Sequence, residues 1–427
     1  MNKNDPAYSE FVSILTRELV PAMGCTEPVS IAYAAALARQ ALEAEPERVD
    51  ITVSRNIVKN VKSVVVPNTN GLKGIEAAVA AGIVAGQPEL KLEVISRATD
   101  AQKLQIPAYL DRHQITVTPS EEDVLFLIDL TAWTGTRNSR VVIRDGHTEL
   151  KLIAVDGVPV YTAADASRKD TEGPSGTMTV QRILEFVETM DVEDVAPMVE
   201  RQIAYNMDIA QEGLDNTYGA NIGKVLLKHH SQTVMTRARA MAAAGSDARM
   251  SGCEKPVVIL SGSGNQGITA SVPVVVYARE LGCSREQLLR AVTLSDLLTI
   301  HLKNGIGCLS AYCGAVSAGC AAGAAISYLQ GGGYKEVCHT LVNSLAIISG
   351  VICDGAKSSC AAKISFAVEA GIYGGQMYQE GQQFYGGDGI VTKGVENTIR
   401  NIGRLGHDGM KDTDKEIIRI MLEQAGC

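Results

Sequence analysis

Four cysteines lie in two short glycine-bearing segments, CGAVSAGC and CDGAKSSC, as Cys313, Cys320, Cys353 and Cys360. An iron–sulfur cluster needs three or four thiolates converging in one small volume, because soft sulfur ligands match iron. Buried cysteine is also common among small residues in packed helices, and neither segment has the tight C-x₂-C spacing of a zinc or ferredoxin site. On spacing alone, a cluster and a purely structural role both stay open.

A fifth cysteine stands at a predicted helix start, Gly24-Cys25-Thr26-Glu27-Pro28. Proline is favoured in the first helical turn, and Thr or Glu can cap its free N–H groups. Because a thiol there feels the positive end of the helix, we expect its thiolate form to be favoured. The alternative is a capping turn with an incidental cysteine.

The third feature is a glycine loop, SGSGNQG, between the strand-like VVIL and an apolar helix. Such a loop offers backbone N–H groups and hydroxyls to a carboxylate or a phosphate, although a plain strand-to-helix turn fits it equally well. His147 and His301 lie near candidate loops, but a lone histidine is more often structural or exposed. The acidic residues of the last helix, Asp412, Asp414 and Glu416, are expected to face solvent.

Composition excludes several classes of function for this 427-residue chain. With a net charge of −9 and a pI near 5.4, it shows no basic footprint for nucleic acid or an anionic membrane. The N-terminus lacks the pattern of a secretory signal, and the ten cysteines indicate reduced thiols, so a cytoplasmic location is expected. The apolar stretch 311–329 consists of small residues, which predicts a buried helix rather than a membrane span.

The elements that position these residues fall into three regions. Residues 8–44 have helical periodicity with a break at Met23-Gly24. From about Val49, β-rich runs follow one another, with one clear helix over 74–85. The runs are DITVSRN, NVKSVVV, LEVISRA, QITVTP, VLFLIDLTA, SRVVIRD and TELKLIAVDG. Beyond Val180 the pattern is almost wholly helical, broken by glycine loops.

This pattern predicts an α+β fold, in which a mixed α/β domain (47–178) is inserted between N-terminal helices (1–46) and a large, Gly-rich helical domain (179–427). The mixed domain should end near the polar segment 165–177. We expect the N-terminal helices to pack on the C-terminal domain, which places a site where the domains meet.

Several segments resemble the L-cysteine desulfidase family, which belongs with the alpha chain of iron–sulfur serine dehydratases. They are PAMGCTEPVSIAYAAALA, GCLSAYCGAVSAGCAAGAA, GVICDGAKSSCAAKIS, SGSGNQGI and the tail GDGIVTKGVENTIRNIGRLGHDGM. The resemblance implies a [4Fe–4S] cluster held by three cysteines, with one iron open for substrate. On this sequence the ligands fall at Cys313, Cys353 and Cys360, and the last gap is shorter than in the dehydratases. Desulfidases also carry the cysteine seen here as Cys25, as a ligand or as an acid/base.

The implied activity is pyridoxal-independent β-elimination of L-cysteine to pyruvate, ammonia and hydrogen sulfide. Cysteine is favoured over serine because Cys25-Thr26-Glu27 stands where serine dehydratases have a Ser-His-Thr loop. These three residues are the catalytic candidates, with a thiolate at position 25 taking the α-proton. Lys73 fits a solvated surface lysine equally well. Candidates for gripping the α-carboxylate are Asn68, Thr69 and Lys73 in PNTNGLKG, and Ser261, Ser263 and Asn265 in the glycine loop.

Other functions stay open at this point. One is an L-serine dehydratase with the same cluster, and another is a non-catalytic iron–sulfur sensor of cysteine or redox state. A pyridoxal-dependent lyase is less supported, because no lysine lies in a context that singles it out. The expected partner is a small-molecule substrate, L-cysteine, with no nucleic acid and no membrane, and a homodimer is left open.

Overall fold

The N-terminal region contains two helices and a short strand. The computed structural model describes residues 1–122, 124–163, 178–307 and 310–423. The chain begins with α1 (Pro6–Glu18), β1 (Pro21–Met23) and α2 (Thr26–Leu42). The predicted break is confirmed at Gly24, whose φ of 64° lies in the left-handed region that favours glycine. A Cβ at this position would lie 2.8 Å from the Pro67 ring, so the turn also needs a residue without a side chain.

A six-stranded sheet follows, flanked by helices. Its strands are β2 (Arg48–Val53), β3 (Gln114–Pro119), β4 (Leu127–Thr134), β5 (Arg137–Arg144), β6 (Leu150–Val155) and β7 (Val158–Thr162). They lie in the order β3-β2-β4-β5-β6-β7, with β2 and β3 parallel and the other pairs antiparallel. The helices of this region are α3 (Arg55–Val61), α4 (Gly74–Ala85) and α5 (Asp100–Arg112), with a 3-10 segment at Pro88–Glu93.

Two of the predicted strands are wrong, and two helices, α3 and α5, were not predicted. NVKSVVV begins inside α3, where Ile57 and Val61 are buried at a spacing of four, as on one face of a helix. LEVISRA forms turns in which the consecutive residues Val94 and Ile95 are both buried, which a half-buried strand does not allow. The helix α5 escaped prediction because it is mostly exposed and so lacks an apolar face.

The C-terminal region is helical, as predicted. Its elements are α6 (Val180–Thr189), α7 (Ala196–Asp215), α8 (Ile222–His229), α9 (Val234–Met250), β8 (Pro256–Val258), α10 (Gly264–Glu280), α11 (Arg285–Asn304), α12 (Gly314–Leu329), α13 (Tyr334–Ile348), α14 (Ser359–Gln379), α15 (Val395–Arg404), a π-helical turn (Leu405–Gly409) and α16 (Lys411–Glu423). The prediction of a buried helix within 311–329 is confirmed by α12. Within the described ranges, no helix combines the length and the apolar character that crossing a membrane requires.

Close packing through small residues holds α12 against α14. A Cβ added to Gly319 would lie 2.5 Å from the backbone of Ala367, and one added to Gly323 would lie 2.2 Å from that of Gly371. The two helix axes therefore approach more closely than larger residues allow. This pair is important for the site, because both helices begin at the cysteine segments.

Contacts between the three regions bring the site together. The strand β1 pairs antiparallel with β8, and the rings of Tyr8 and Phe11 in α1 each lie 5.1 Å from Phe186 in α6. By contrast α2 lies on the sheet, where the Ser139 hydroxyl donates to the Ala38 carbonyl at 2.8 Å. The architecture is the mixed α+β class that the sequence predicts. The domain boundaries at 46 and 178 stay predictions, and segment 165–177 lies outside the described residues.

The acidic residues of α16 do not all face solvent. Asp414 accepts a hydrogen bond from the ammonium of Lys59, whose side chain is 2% exposed. The expectation was wrong for Asp414 because a buried ammonium needs a counter-charge, and α16 supplies it from the other end of the chain.

Candidate active site

The Gly24–Pro28 turn is buried at the start of α2, and Cys25 occupies the N-cap position. The Cys25 thiol donates to Glu27 Oε2 at 3.1 Å, and the Thr26 hydroxyl donates to the same oxygen at 3.1 Å. The side-chain amide of Asn60 in α3 donates to Glu27 Oε1 at 2.9 Å. Three donors therefore surround a buried carboxylate, and one of them is the candidate catalytic thiol.

The ionisation of this pair differs from the sequence-based expectation. Burial raises the pKa of Cys25 well above its ordinary value, and the negative charge of Glu27 adds to the rise. The expected thiolate is therefore wrong for the protein without substrate, because desolvation outweighs the effect of the helix start. Burial also opposes the ionisation of Glu27, but His147, the Cys25 thiol and Arg249 outweigh it and lower the pKa of that carboxyl.

His147 reaches the site from the loop between β5 and β6. Its backbone carbonyl accepts a hydrogen bond from the Ser30 hydroxyl in α2, and its ring lies 4.9 Å from that of Phe126. A Cβ on Gly262 would lie 3.1 Å from the imidazole, so the ring faces the glycine loop. Burial lowers the pKa of His147, and its buried Nε2 has no hydrogen-bond partner within the described part of the chain. An imidazole with an unpartnered nitrogen next to a carboxylate suits proton transfer or substrate binding.

The glycine loop lies directly against the Gly24–Pro28 turn, which is called the thiol turn below. The Thr26 hydroxyl also lies 3.0 Å from the Gly262 carbonyl, so its one proton is shared between that oxygen and Glu27 Oε2. Ser261 in the loop has a left-handed φ of 47°. Ser263 is the N-cap residue of α10, and its backbone forms a tight turn with Leu260. The structure thus brings the predicted loop residues Ser261 and Ser263 to the site, both of them half-buried.

Two amide side chains at the start of α10 have one atom each that finds no hydrogen-bond partner among the residues that the structure describes. Asn265 donates weakly to the Met250 sulfur at 3.7 Å, and its buried Oδ1 has no partner. The buried Oε1 of Gln266 also has none, and this side chain lies where a Cβ on Gly314 would be. Buried polar atoms are normally paired, so unpaired ones in a cleft are typical of a ligand site. Asn265 was predicted from the sequence, whereas Gln266 was not.

The PNTNGLKG segment packs against the thiol turn, where Pro67 contacts Gly24. The Asn68 amide donates to the Ile95 carbonyl at 2.9 Å, and the Thr69 hydroxyl donates to the Val66 carbonyl at 2.6 Å. Lys73 is exposed at the N-cap of α4. In the structure Asn68 and Thr69 hold their own loop against Gly24, so contact of these three residues with substrate stays a prediction.

The three thiols of the cysteine segments come from two adjoining backbone segments. The N–H of Cys313 donates to the Val351 carbonyl at 3.1 Å, and the N–H of Cys353 donates to the Ala311 carbonyl at 2.6 Å. Cys360 lies in the first turn of α14, with its thiol 3.7 Å from the Gly355 carbonyl. The fourth, Cys320, is fully buried within α12 and packs in the core.

The charges around these thiols suit an anionic sulfur cluster. Burial and the neighbouring Cys353 raise the pKa of Cys313 to about 12, and burial and Cys353 also raise the pKa of Cys360. Lys363 is placed among them, and although burial opposes its charge, Asp354 and the two thiols raise its pKa. Thiols that interact in this way, beside a cation, form a donor set that fits an iron–sulfur cluster.

The same thiols are not arranged for a single metal ion. Within the described ranges, no three His, Cys, Asp or Glu side chains converge closely enough to hold one.

Packing joins the thiol turn to the cysteine segments. Cys25, Val64 and Met250 form a buried apolar cluster, against which Ala356 and Cys360 pack. The site therefore collects residues from α2, the sheet, the glycine loop and both cysteine segments. His301 does not join these residues, since its Nε2 is hydrogen-bonded to Glu396 Oε2 at 2.8 Å.

Sequence reasoning missed Asn60, Arg249 and Gln266, and gave His147 little weight. Gln266 lies in the glycine loop but was not chosen among its residues. Asn60, Arg249 and His147 lie in no motif with characteristic spacing, and each reaches the site through long-range packing. The only available signal was polarity in a mostly apolar context, as for Arg249 in the Ala-rich helix α9.

Known proteins resemble this chain over most of its length. Residues 89–419 match the model of the serine dehydratase alpha chain family. A UPF0597 protein of Desulfitobacterium hafniense is 54% identical over 429 residues, which cover 99% of this chain and 99% of that protein. UPF0597 proteins of Lachnoclostridium phytofermentans and Treponema denticola are 45% and 41% identical, over 97% and 99% of this chain and 100% of each relative. This chain therefore belongs to the serine dehydratase alpha chain family.

Proposed function

We propose that the protein is an L-cysteine desulfidase, a lyase that converts L-cysteine and water to pyruvate, ammonia and hydrogen sulfide. The observation that carries the proposal is the Cys25 thiol, which donates to the buried Glu27 carboxylate and belongs to the apolar cluster against which Cys360 packs. Membership of a family named for serine dehydratase supports a lyase that acts on a β-substituted amino acid.

Cys313, Cys353 and Cys360 are the residues that would hold a [4Fe–4S] cluster. When bound, the cluster supplies a Lewis acid for the β-substituent of the substrate. Lys363 balances part of the negative charge of the thiolates. Gly355 packs on the backbone of α3, since its Cβ would lie 2.4 Å from the Lys59 carbonyl oxygen, and this contact fixes the CDGA turn.

Cys25 is the proposed acceptor of the α-proton. In the resting site its thiol is protonated, because burial and Glu27 raise its pKa. A substrate ammonium bound nearby would lower that pKa, and Glu27 is placed to accept the thiol proton. The thiolate then removes the α-proton while the Cβ–S bond breaks. The resulting aminoacrylate tautomerises and is hydrolysed by water to pyruvate and ammonia, and the sulfur leaves as hydrogen sulfide.

The cluster is tested by the colour and the iron and sulfide content of protein purified without oxygen. We expect a broad brown absorbance that is lost in air, and Cys313→Ser, Cys353→Ser and Cys360→Ser should each lower the iron content severalfold. Cys283→Ser is the matched control, because that half-buried thiol lies outside the site. A sharp yellow band removed by borohydride would instead indicate pyridoxal phosphate, and colourless protein would contradict both cofactors.

The substrate is tested by kcat/KM for L-cysteine and L-serine on anaerobic, iron-replete protein. We expect L-cysteine to be preferred, because soft iron matches a thiolate leaving group and thiolate leaves more readily than hydroxide.

Cys25→Ser should reduce activity by about two to four orders of magnitude at unchanged iron content, as loss of an acid/base group does. The family name keeps L-serine dehydratase as the second candidate, and a preference for L-serine would establish it. Turnover of neither amino acid would favour a sensor.

A further inference from the structure

Arg249, near the end of α9, is a buried cation with almost no partner. Arg249 is 2% exposed, and among the described residues its one hydrogen bond runs from Nε to the Gly24 carbonyl at 2.9 Å. Within the described ranges, no carboxylate lies at ion-pairing distance from it. Arg239 on the same helix is equally buried, yet it pairs with Glu369 at 2.8 Å. A buried guanidinium normally has a counter-ion, because an uncompensated charge in the interior costs several kcal/mol.

The guanidinium of Arg249 belongs to the candidate active site. A Cβ on Gly264 would lie 2.3 Å from its Nε, so the glycine loop leaves room for this group. Its positive charge acts on the pKa values of Cys25, Glu27 and His147. An anion bound by Arg249 would therefore lie next to the thiol that is proposed to take the α-proton.

Unsatisfied amide atoms flank the same space. Asn265 and Gln266 follow Gly264 directly, and each has one buried side-chain atom without a partner. Gln266 extends from there to Gly314, next to Cys313. From Arg249 beside Gly264 to Gln266 beside Gly314, neighbouring positions therefore carry a cation, then two neutral amides, then the Cys313 thiol. This order matches an α-amino acid with its carboxylate, its ammonium group and its β-substituent in sequence.

We propose that Arg249 binds the α-carboxylate of the substrate through its guanidinium N–H groups, and that Asn265 and Gln266 bind the α-ammonium group. The inference rests on the proposed function for the substrate class, α-amino acids, but not on which β-substituent leaves. A planar guanidinium matches a carboxylate with two parallel hydrogen bonds, and such charge-assisted pairs are strong in a buried site. Arg249 thereby selects substrates that carry the carboxylate.

The test measures binding without turnover, by titration calorimetry of anaerobic, cluster-loaded protein. The probes are L-alanine, which has the carboxylate but no leaving group, and ethylamine, which lacks the carboxylate. We expect Arg249→Lys and Arg249→Gln to weaken L-alanine binding by about 10- to 100-fold and to leave ethylamine binding unchanged. Arg239→Lys is the matched control, and it should leave both affinities unchanged. Circular dichroism verifies that each variant is folded.

Several results would overturn the inference. One is a wild-type protein that binds L-alanine and ethylamine with equal affinity. A second is an Arg249 variant that binds L-alanine as tightly as the wild type. A third is Arg249→Gln with an unchanged KM for L-cysteine. If both Arg249 variants fail to fold, Gly264→Ala decides, because it displaces the guanidinium without removing it and should weaken L-alanine binding selectively. Arg249-dependent L-alanine binding without turnover of cysteine or serine would support the inference and contradict the proposed function. Cysteine turnover with an unchanged KM in Arg249→Gln would support the proposed function and contradict the inference about Arg249.

Discussion

Glu27 is a buried carboxylate that accepts hydrogen bonds from Cys25 and Thr26 in its own turn and from Asn60 in α3. Replacing it with Gln keeps the shape but removes the charge that accepts the thiol proton. We expect Glu27→Gln to lower kcat for L-cysteine by about 10²- to 10⁴-fold, with the iron content unchanged. Steady-state kinetics with iron analysis checks this, and Glu89→Gln, at an exposed position, is the control. Full activity in Glu27→Gln would limit Glu27 to a structural role.

Asp296 in α11 is fully buried, and it accepts a hydrogen bond from the Gln202 amide at 2.8 Å. Burial raises its pKa to about 8, so the carboxyl is mostly protonated at neutral pH. An aspartate in the unfolded chain has a pKa of about 4. Between that pH and a pH of about 8, the folded protein binds one proton more than the unfolded chain, so the free energy of unfolding falls as the pH rises.

The variant Asp296→Asn should remove this pH dependence. From pH 5 to pH 8 the wild-type protein should lose about 3 kcal/mol of unfolding free energy relative to the variant, at no more than about 1.4 kcal/mol per pH unit. Urea unfolding at several pH values measures the slope, which is insensitive to any constant offset from the substitution. Exposed Asp111→Asn is the control. Parallel curves for Asp296→Asn and the wild type would show that Asp296 ionises normally.

At the scale of elements, the close approach of α12 and α14 positions the ends that carry Cys313 and Cys360. A methyl group at residue 323 would lie 2.2 Å from the backbone of Gly371, so the helices have to separate. We expect Gly323→Ala to cost about 1–3 kcal/mol of unfolding free energy and to lower the iron content of anaerobic protein.

Gly350→Ala is the control for this prediction, because an added Cβ there meets nothing within 4 Å. Urea unfolding and iron analysis on both variants separate packing from a general effect of removing glycine. Equal stability and iron content in the two would show that the helices can move apart without cost.

At the scale of the whole molecule, α16 returns to the N-terminal half and pairs Asp414 with the buried Lys59. Asp414→Asn leaves that ammonium without a counter-charge, which should cost about 3 kcal/mol of unfolding free energy. Replacing both residues with apolar ones, Lys59→Met with Asp414→Leu, should restore most of the loss. Denaturant unfolding measures these changes, with Asp412→Asn as control because that side chain is 98% exposed. A loss in the double variant equal to the sum of the single losses would rule out the pair.

The sequence by itself determined the parts of this protein that depend on local pattern. The helices α4 and α12, the change from a β-containing to a helical region near Val180, and the cysteine, thiol-turn and glycine-loop motifs were all visible in the chain. Hydrophobic periodicity and turn chemistry act over a few residues, so they can be read from the sequence alone. Where periodicity was weak, as in LEVISRA and α5, the predictions failed.

Only the tertiary structure decided which residues meet and how they ionise. Asn60, His147, Arg249 and Gln266 come from four separate elements, and no local pattern marks them as neighbours. The protonated state of Cys25 also depends on burial and on Glu27, which outweigh the helix-start effect that the sequence suggested. Desolvation and charge pairing are set by the surroundings in space, and these exist only once distant segments have packed together.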